Sequence, residues 1–493
     1  MYFDYHFIHL LLSVFDCLVY YILLVKTYFF EVSVINHKYI KLSINPSIFK
    51  AYDIRGLCPQ EINEEAAYAI AHATARFMFR DRDSKHRVVV AMDNRDSSPM
   101  LKESVLRGLR DEGVSIIDAG VATTPMFYFS VNQAKSDGGI MITASHNPAQ
   151  YNGLKIVSAG AQPVGQDSGL EEIKNIALNL EASLPSGNSG KDNQVEQVDF
   201  LNQYVDFLIK DLRCPSVKVA VDASCGTAGV IVLEIAKKIG FALTPLCFAP
   251  CLEVLHGGDP LKDDNVKDII EAIKKQGADF GVAFDTDGDR VFFFDKTGER
   301  VSSHIIGSLL ARYYLNKYPG ASIISDVRMP KIFAETVVEN GGKHLGNRVG
   351  HAFIKKRMHE EGAVFAAEVS GHFYFRDFFG LDGGVFAFTR VLDILASEGK
   401  PLEELAAPYR KHFQSGELNY KVADTQKALV ALKSAFSDAE KFSEIDGLSI
   451  FYKDWWCNIR HSNTEPLLRV NIEAETEDLL KEMRRKIEGL FLL

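Results

Sequence analysis

The chain has 493 residues, 47% hydrophobic and 24% charged, a globular composition too long for one core, so three or four domains are expected. A formal net charge of −10 and the lack of a long Lys/Arg run exclude the basic stripe of a nucleic-acid binder; no nucleic-acid partner is expected, and an anionic substrate must be held locally by a few Arg and Lys in a cleft. The seven cysteines, Cys17, Cys58, Cys214, Cys225, Cys247, Cys251 and Cys457, are too few and too dispersed for a disulfide framework. Cys247 and Cys251 form a lone C-x3-C and read as ordinary cysteines. The pattern fits a reducing compartment, and a cytoplasmic location is expected.

Residues 7–25, FIHLLLSVFDCLVYYILLV, approach the length that spans a bilayer. Lys26, Lys38 and Lys41 follow and would keep the downstream chain cytoplasmic if the segment inserted. The basic start and cleavage site of a signal peptide are missing. Two readings compete: a signal anchor, or an upstream extension foreign to the fold, such as a misassigned start codon. We read residues 1–43 as an extension outside the fold, because the recognisable domain begins near Pro46; a membrane partner enters only if that extension is a real anchor.

From residue 65, AAYAIAHATARFMF predicts a helix, and VVVAM (88–92) a buried strand ending in DNRDSS. LKESVLRGLRDEG reads as a helix closed by Gly113, and VSIIDAG as the next strand. The alternation returns in VKVAVDASCGTAG with VIVLEIAKKIG, in FGVAFDTDGDR, and in ASIISDVR with KIFAETVVENGG. It predicts repeated βαβ units on mostly parallel sheets, whose strand ends are candidate site material. Residues 183–195, SLPSGNSGKDNQV, read as a linker or long loop. Beyond a shift near 411–424, LSIFYK, LLRVNIEA and the helix EDLLKEMRRKIEGLF predict a separate α+β module.

Four stretches carry candidate chemistry. In GIMITASHNP (139–148), Pro148 disfavours helix at Asn147 and leaves Ser145 on a loop at a strand's end. Neighbouring residues in a strand point apart, so Ser145 and His146 need not form a nucleophile–base pair. YNGLK brings Lys155 into the neighbourhood. In FDTDGDR (284–290), Asp285, Asp287 and Asp289 lie between two apolar runs. An EF-hand is excluded, because its sixth position is Arg290 and its twelfth Lys296. The three carboxylates reach one ion only if the chain curls, which Gly288 permits. Without a cation they would raise one another's pKa values. An open oxygen site suits Mg²⁺ shared with a phosphate, with Arg290 beside it as a further phosphate holder. EVSGH (368–372) offers groups that hydrogen-bond sugar hydroxyls, and RHSNTEP (460–466) a guanidinium, hydroxyls and loop amides suited to a phosphate monoester. Taken singly, each of these has a bland alternative as a polar or acidic turn. No Walker A motif is present, since Pro185 stands where its first glycine belongs, and there is no H-E-x-x-H.

TASHNP, DTDGDR, EVSGH and RHSNTEP, in this order on repeated α/β units, resemble the α-D-phosphohexomutase superfamily, most closely its bacterial phosphomannomutase/phosphoglucomutase group. The resemblance covers about residues 44–493 and includes FKAYDIRG and VGHAFIKKRM. It implies three α/β domains of one topology, at 44–197, 198–297 and 298–411, and a smaller α+β domain at 412–493, around a central cleft. It implies a phosphoserine at Ser145 and Mg²⁺ held by Asp285, Asp287, Asp289 and the seryl phosphate. Glu368 and Ser370 match the sugar-hydroxyl clamp; Arg460, Ser462, Asn463 and Thr464 match the distal phosphate loop. Tyr52, Arg55, His146, Lys155, Arg290, Arg328, His351 and His372 match cleft positions that contact substrate or assist proton transfer, and Lys155 or His146 is the expected proton-transfer group near Ser145.

The implied activity interconverts hexose 1-phosphate and hexose 6-phosphate, of mannose or glucose, through a hexose 1,6-bisphosphate. The partners are small sugar phosphates, and neither monomer nor dimer is favoured. Ala367 stands where Gly is common, Val369 where Met, His or Gln is usual, and Asn347 where Thr is common; AMDNRDSS lacks the Gly-Arg often seen before Asp93. These departures leave sugar preference open. The alternatives are a phosphoglucosamine mutase, a Mg²⁺-dependent sugar phosphatase and a catalytically dead sugar-phosphate-binding protein.

Overall fold

The structure is a computed structural model that describes residues 40–41, 44–79, 86–182, 195–213, 216–249, 256–422, 424–461 and 467–491. The apolar segment 7–25 lies outside them. Of the 1–43 extension, Ile40–Lys41 pairs antiparallel with Glu181–Ala182. Among the described residues no helix is long and apolar enough to cross a membrane.

The first unit contains β1 (Ile54–Leu57), α1 (Glu64–Met78), β2 (Arg87–Met92), α2 (Ser98–Asp111), β3 (Ser115–Val121), α3 (Thr124–Gln133), β4 (Gly138–Ile142), β5 (Tyr151–Ser158) and β6 (Val195–Gln197). Its strands lie in the order β1-β5-β4-β2-β3-β6. The helices begin where the sequence supplies caps: the Asn63 side chain accepts from Ala66 N–H ahead of an alanine-rich run, and Thr123 from Met126 N–H ahead of Pro125.

The second unit has β7 (Lys218–Asp222), α4 (Ala228–Ile239), β8 (Ala242–Leu246), α5 (Lys267–Gln276), β9 (Phe280–Phe284), β10 (Val291–Asp295) and β11 (Arg300–Val301), with strand order β8-β7-β9-β10-β11. The third has α6 (Ser303–Lys317), β12 (Ser322–Asp326), α7 (Lys331–Glu339), β13 (Lys343–Asn347), α8 (His351–Glu361), β14 (Phe365–Ala367), β15 (Phe373–Phe375), β16 (Leu381–Asp382) and α9 (Gly384–Glu398), in the order β13-β12-β14-β15-β16.

The three sheets share one pattern. A first strand lies between two parallel neighbours, and a fourth strand then returns antiparallel against the third. The sheets are therefore mixed rather than mostly parallel. The physical reason is loop length: the stretch between third and fourth strands is too short for a crossover helix, so the chain turns back as a hairpin.

The fourth unit, with β17 (Phe413–Lys421), α10 (Thr425–Ala435), β18 (Lys441–Ser443), β19 (Leu448–Phe451), β20 (Trp455–His461), β21 (Leu467–Ala474) and α11 (Glu477–Phe491), is an antiparallel sheet ordered β17-β21-β20-β19-β18. It is the α+β module the sequence predicts.

One apolar core runs through the first three units, from Val89 and Phe127 through Val221 and Phe284 to Phe365 and Phe388. The fourth unit has its own, built on Leu432, Ile450, Trp455, Ile459 and Leu468. It meets the third unit through polar contacts: Lys331 Nζ donates to the carbonyls of Tyr452 (2.6 Å) and Lys453 (3.0 Å), and Val349 N–H to Asp446 Oδ2 (2.9 Å). Cys225 is disulfide-bonded, a cross-link that the dispersed cysteine pattern did not lead us to expect.

Candidate active site

The shared topology places three of the motifs at equivalent points: Ser145 lies on the hairpin between β4 and β5, the three aspartates between β9 and β10, and Glu368–His372 between β14 and β15; Arg460 lies near the end of β20 in the fourth unit. Ser462, Asn463 and Thr464 fall outside the described residues.

Ser145 is buried, with a left-handed backbone at φ 51°, a conformation that costs a non-glycine residue energy and persists only where its surroundings hold it. The holder is Arg95. Its Nε donates to Asp93 Oδ2, Nη1 to the carbonyls of Pro148 and Tyr151, and Nη2 to those of Ser145 and Asn147, at 2.6–3.0 Å. All five guanidinium donors are thereby committed. The left-handed turn also overturns the strand argument for Ser145 and His146: Oγ lies 3.2 Å from His146 Nδ1. Burial and the nearby Arg290 charge hold His146 down at about 3, so its imidazole is neutral at neutral pH and a weak base in this arrangement.

Lys155, on β5, donates to Asp287 Oδ2 at 2.7 Å and to Asp289 Oδ2 at 2.8 Å. Burial opposes its charge, but the two carboxylates hold it well above the ordinary lysine value. It is an ammonium, unable to act as a base while so paired. Thr124 Oγ1 also donates to Asp287 Oδ2 (2.7 Å) and Thr124 N–H to its carbonyl (2.9 Å), tying α3 to the carboxylate loop.

Gly288 sits at φ 71°, the curl that the three carboxylates need. Asp285 accepts from Arg290 N–H and Nε at 3.1 and 2.7 Å. Burial, with Asp289 and Asp287 nearby, pushes it up to about 8 against the pull of Arg290. Burial opposes Asp287 and Asp289 too, yet Lys155 brings both below the usual carboxylate range. The mutual elevation expected from sequence is thus confined to Asp285. Among the described residues Asp287 Oδ1 and Asp289 Oδ1 are buried without a hydrogen-bond partner, and the three carboxylates bring ligand oxygens within 4.8 Å of one another. Hard oxygens, partly unsatisfied, around a point already occupied by an ammonium fit Mg²⁺.

The third hairpin packs on this loop. Arg290 and His372 form an isolated bridge, and Val291 N–H donates to Gly371 O at 3.1 Å. His372 Nε2 stands 3.4 Å from Asp289 Oδ1, and its Nδ1 3.0 Å from Ser370 Oγ. Glu368 accepts from Tyr374 OH and from Gly350 N–H (3.2 Å). His351 stacks on His372 with ring centroids 6.3 Å apart and meets Tyr52 edge-on at 5.3 Å. Arg55 joins the serine loop through Asn147 Oδ1 (2.9 Å) and pairs with Asp53.

Arg328 is chelated by Asp326 at 3.0 Å and lies 3.9 Å from Glu368. Its other nitrogen is 3.7 Å from Glu417 Oε2, which also accepts from Arg460 (2.7 Å), while Glu417 Oε1 accepts from Arg469 (2.9 Å). Three guanidiniums converge on one carboxylate, a local positive excess that suits a dianionic phosphate. Arg95, Thr124, Glu417 and Arg469 were missed from sequence. Only Arg95 had a signal, its place in DNRDSS at the end of a predicted strand.

Family models for phosphoglucomutase/phosphomannomutase match the chain in four successive parts: alpha/beta/alpha domain I at residues 46–183, domain II at 198–298, domain III at 302–412 and the C-terminal domain at 417–490. The chain belongs to this family within the α-D-phosphohexomutase superfamily, and is a mutase enzyme. It is 35% identical to a phosphomannomutase of Escherichia coli, over 90% of this chain and 98% of that one. A phosphomannomutase of Methanocaldococcus jannaschii is also 35% identical, over 90% and 97%. Among solved structures, a phosphoglucomutase/phosphomannomutase family protein of Burkholderia thailandensis superposes with a TM-score of 0.82 at 31% identity, covering 91% of this chain and 97% of that one.

Proposed function

We propose that this phosphohexomutase interconverts the 1- and 6-phosphates of mannose or glucose through a phosphoryl group carried on Ser145. The observation that carries the reading is Lys155, rooted beside the Ser145 loop and bound to Asp287 and Asp289 across the interface between the first two units. Serine loop and carboxylate loop, about 140 residues apart in sequence, thus form one centre.

In the first half-reaction the bond between Ser145 Oγ and phosphorus breaks as one forms from a sugar hydroxyl oxygen, whose proton passes by way of a neighbouring base to the serine oxygen. In the second, the bond between the other phosphate and its sugar oxygen breaks as one forms from Ser145 Oγ, whose proton passes by way of that base to the freed sugar oxygen. His146, 3.2 Å from Oγ, and Lys155, beside the same loop, are the two groups placed to hold that proton; Mg²⁺ at Asp287 and Asp289 would take over the carboxylates that pair Lys155 in its absence. Asp285, Asp287 and Asp289 would hold Mg²⁺, which when bound neutralises charge on the transferring phosphoryl group. Arg290 and Arg55 add fixed positive charge beside it. Glu368, Ser370, His372, His351 and Tyr52 line the sugar's position. Arg460, with Ser462, Asn463 and Thr464 that follow it in sequence, takes the phosphate that is not reacting, with Arg328 and Arg469 beside it.

The test is a coupled mutase assay with mannose, glucose and glucosamine 1-phosphates side by side, with and without hexose 1,6-bisphosphate. Conversion of mannose or glucose phosphate, stimulated by the bisphosphate, is expected. Turnover of the glucosamine ester alone would reassign the substrate. Phosphate release independent of bisphosphate would make the protein a phosphatase.

A further inference from the structure

Each α/β unit has an aspartate at the end of the strand that lies between two parallel neighbours: Asp93 after β2, Asp222 in β7 and Asp326 in β12. In each, the backbone N–H two residues on donates to that carboxylate, from Arg95 at 3.1 Å, Ser224 at 2.8 Å and Arg328 at 2.7 Å. The first and third units neutralise the charge with the same residue, because Arg95 and Arg328 turn their guanidiniums back onto Asp93 and Asp326 at 3.0 Å. The second unit has Ser224 instead, and its hydroxyl donates to Phe284 O (2.7 Å). Asp222 is 1% exposed and has no guanidinium. A buried carboxylate demands a compensating cation.

What faces Asp222 is a thiol and an imidazole. His256 Nε2 lies 3.1 Å from Asp222 Oδ2 and 3.3 Å from Cys247 Sγ, and one ligand atom from each residue falls within 4.8 Å of the others. His256 Nδ1 stands 3.0 Å from Gly257 O; a carbonyl only accepts, so Nδ1 carries the hydrogen. As an imidazolium the ring is the counter-charge of Asp222; as a neutral ring its Nε2 lone pair points to where a metal ion would join it to Oδ2 and Sγ. Both outer contacts are of the kind that orients metal ligands: a carbonyl on the far imidazole nitrogen and an amide on the far carboxylate oxygen.

We propose that Asp222, Cys247 and His256 form a second metal site, separate from the three-aspartate centre, that takes Zn²⁺ or a similarly thiophilic divalent cation through Oδ2, Sγ and Nε2. Nitrogen, sulfur and oxygen donors together favour such an ion over Mg²⁺. Binding breaks the Cys247 S–H bond, releases the proton to solvent and forms the metal–sulfur bond, with no change of oxidation state. The ion joins the carboxyl ends of β7 and β8 to the segment 256–259. That segment supports the carboxylate loop, since Asp259 pairs with Arg290 at 3.3 Å and a Cβ at Gly258 would lie 2.2 Å from Thr286 Oγ1.

The experiment uses the full chain, stripped with chelator, dialysed and titrated with Co²⁺ as the optical probe in excess Mg²⁺, which fills the carboxylate centre. A thiolate-to-cobalt charge-transfer band saturating at one equivalent and abolished by Zn²⁺ is expected. Cys247→Ser, shown folded by circular dichroism, should lose the band, and Asp222→Asn and His256→Gln should weaken Co²⁺ binding. Ser145→Ala and Asp287→Asn should keep the band unchanged, which separates this site from the proposed catalytic one. The absence of a band in the wild type would overturn the proposal, leaving an imidazolium at His256 as the counter-charge. Survival of the band in Cys247→Ser would overturn it equally.

Discussion

The serine–aspartate centre and the arginine cluster around Glu417 are built in opposite ways. The first lies on hairpins of units that share one continuous apolar core, and its charged groups are locked by short bonds to α3, β5 and the third hairpin. The second straddles a boundary between two separate cores, joined by ion pairs and a few backbone contacts. Bond-making requires groups fixed to within a fraction of an ångström. Anchoring a phosphate tolerates a softer mount, because charge-assisted bonds to several guanidiniums reach it from a range of positions.

This contrast is testable, from the largest effect to the smallest. Ser145→Ala should lower mutase turnover by at least about three orders of magnitude, as loss of a nucleophile does; turnover near wild type in the coupled assay would end the phosphoserine mechanism. Phe388→Ala, in the continuous core, should cost about 3–5 kcal/mol and broaden or lower the main calorimetric transition along with activity. Leu432→Ala, costing about 2–5 kcal/mol, should shift only a transition belonging to the fourth unit. A common shift in both variants would show that the two cores unfold as one.

Arg460→Ala should reduce kcat/KM by about 10–100-fold through loss of charge-assisted bonds worth about 1.5–3 kcal/mol, and chiefly through KM, since this group holds the phosphate that does not react. An effect on kcat alone would place it in the chemistry instead.

The smallest effect concerns Glu473, which accepts from Lys331 N–H where the third and fourth units meet and which burial pushes up to about 7 from an ordinary 4.5. The folded state then holds a proton that the unfolded chain releases, so stability falls as pH rises from about 4.5 to about 7, by roughly 1–3 kcal/mol. Urea midpoints of the fourth unit should show this slope in the wild type and lose it in Glu473→Gln; an unchanged slope would remove Glu473 from the linkage.

Much of the site was legible because its chemistry is written in short segments. DTDGDR carries its carboxylates and its glycine together, and excluding the EF-hand pattern already pointed to an open oxygen site. The α/β repetition was visible in strands ending in aspartate. Sheet direction was not, because a hairpin and a crossover begin with the same apolar strand, and only the distance to the next strand separates them. Arg95 was not legible as the holder of Ser145, since four of its acceptors are carbonyls some 50 residues away, and a carbonyl leaves no mark on sequence. Glu417 was hidden for a related reason: an acidic residue within an exposed strand pattern gives no hint that three arginines from two units surround it.

The Arg95 clamp has a consequence for the cycle as a whole. With one donor spent on Asp93 and four on the carbonyls of the serine loop, the guanidinium has nothing left to offer an incoming phosphate, and meeting that charge is left to the other cations of the cleft.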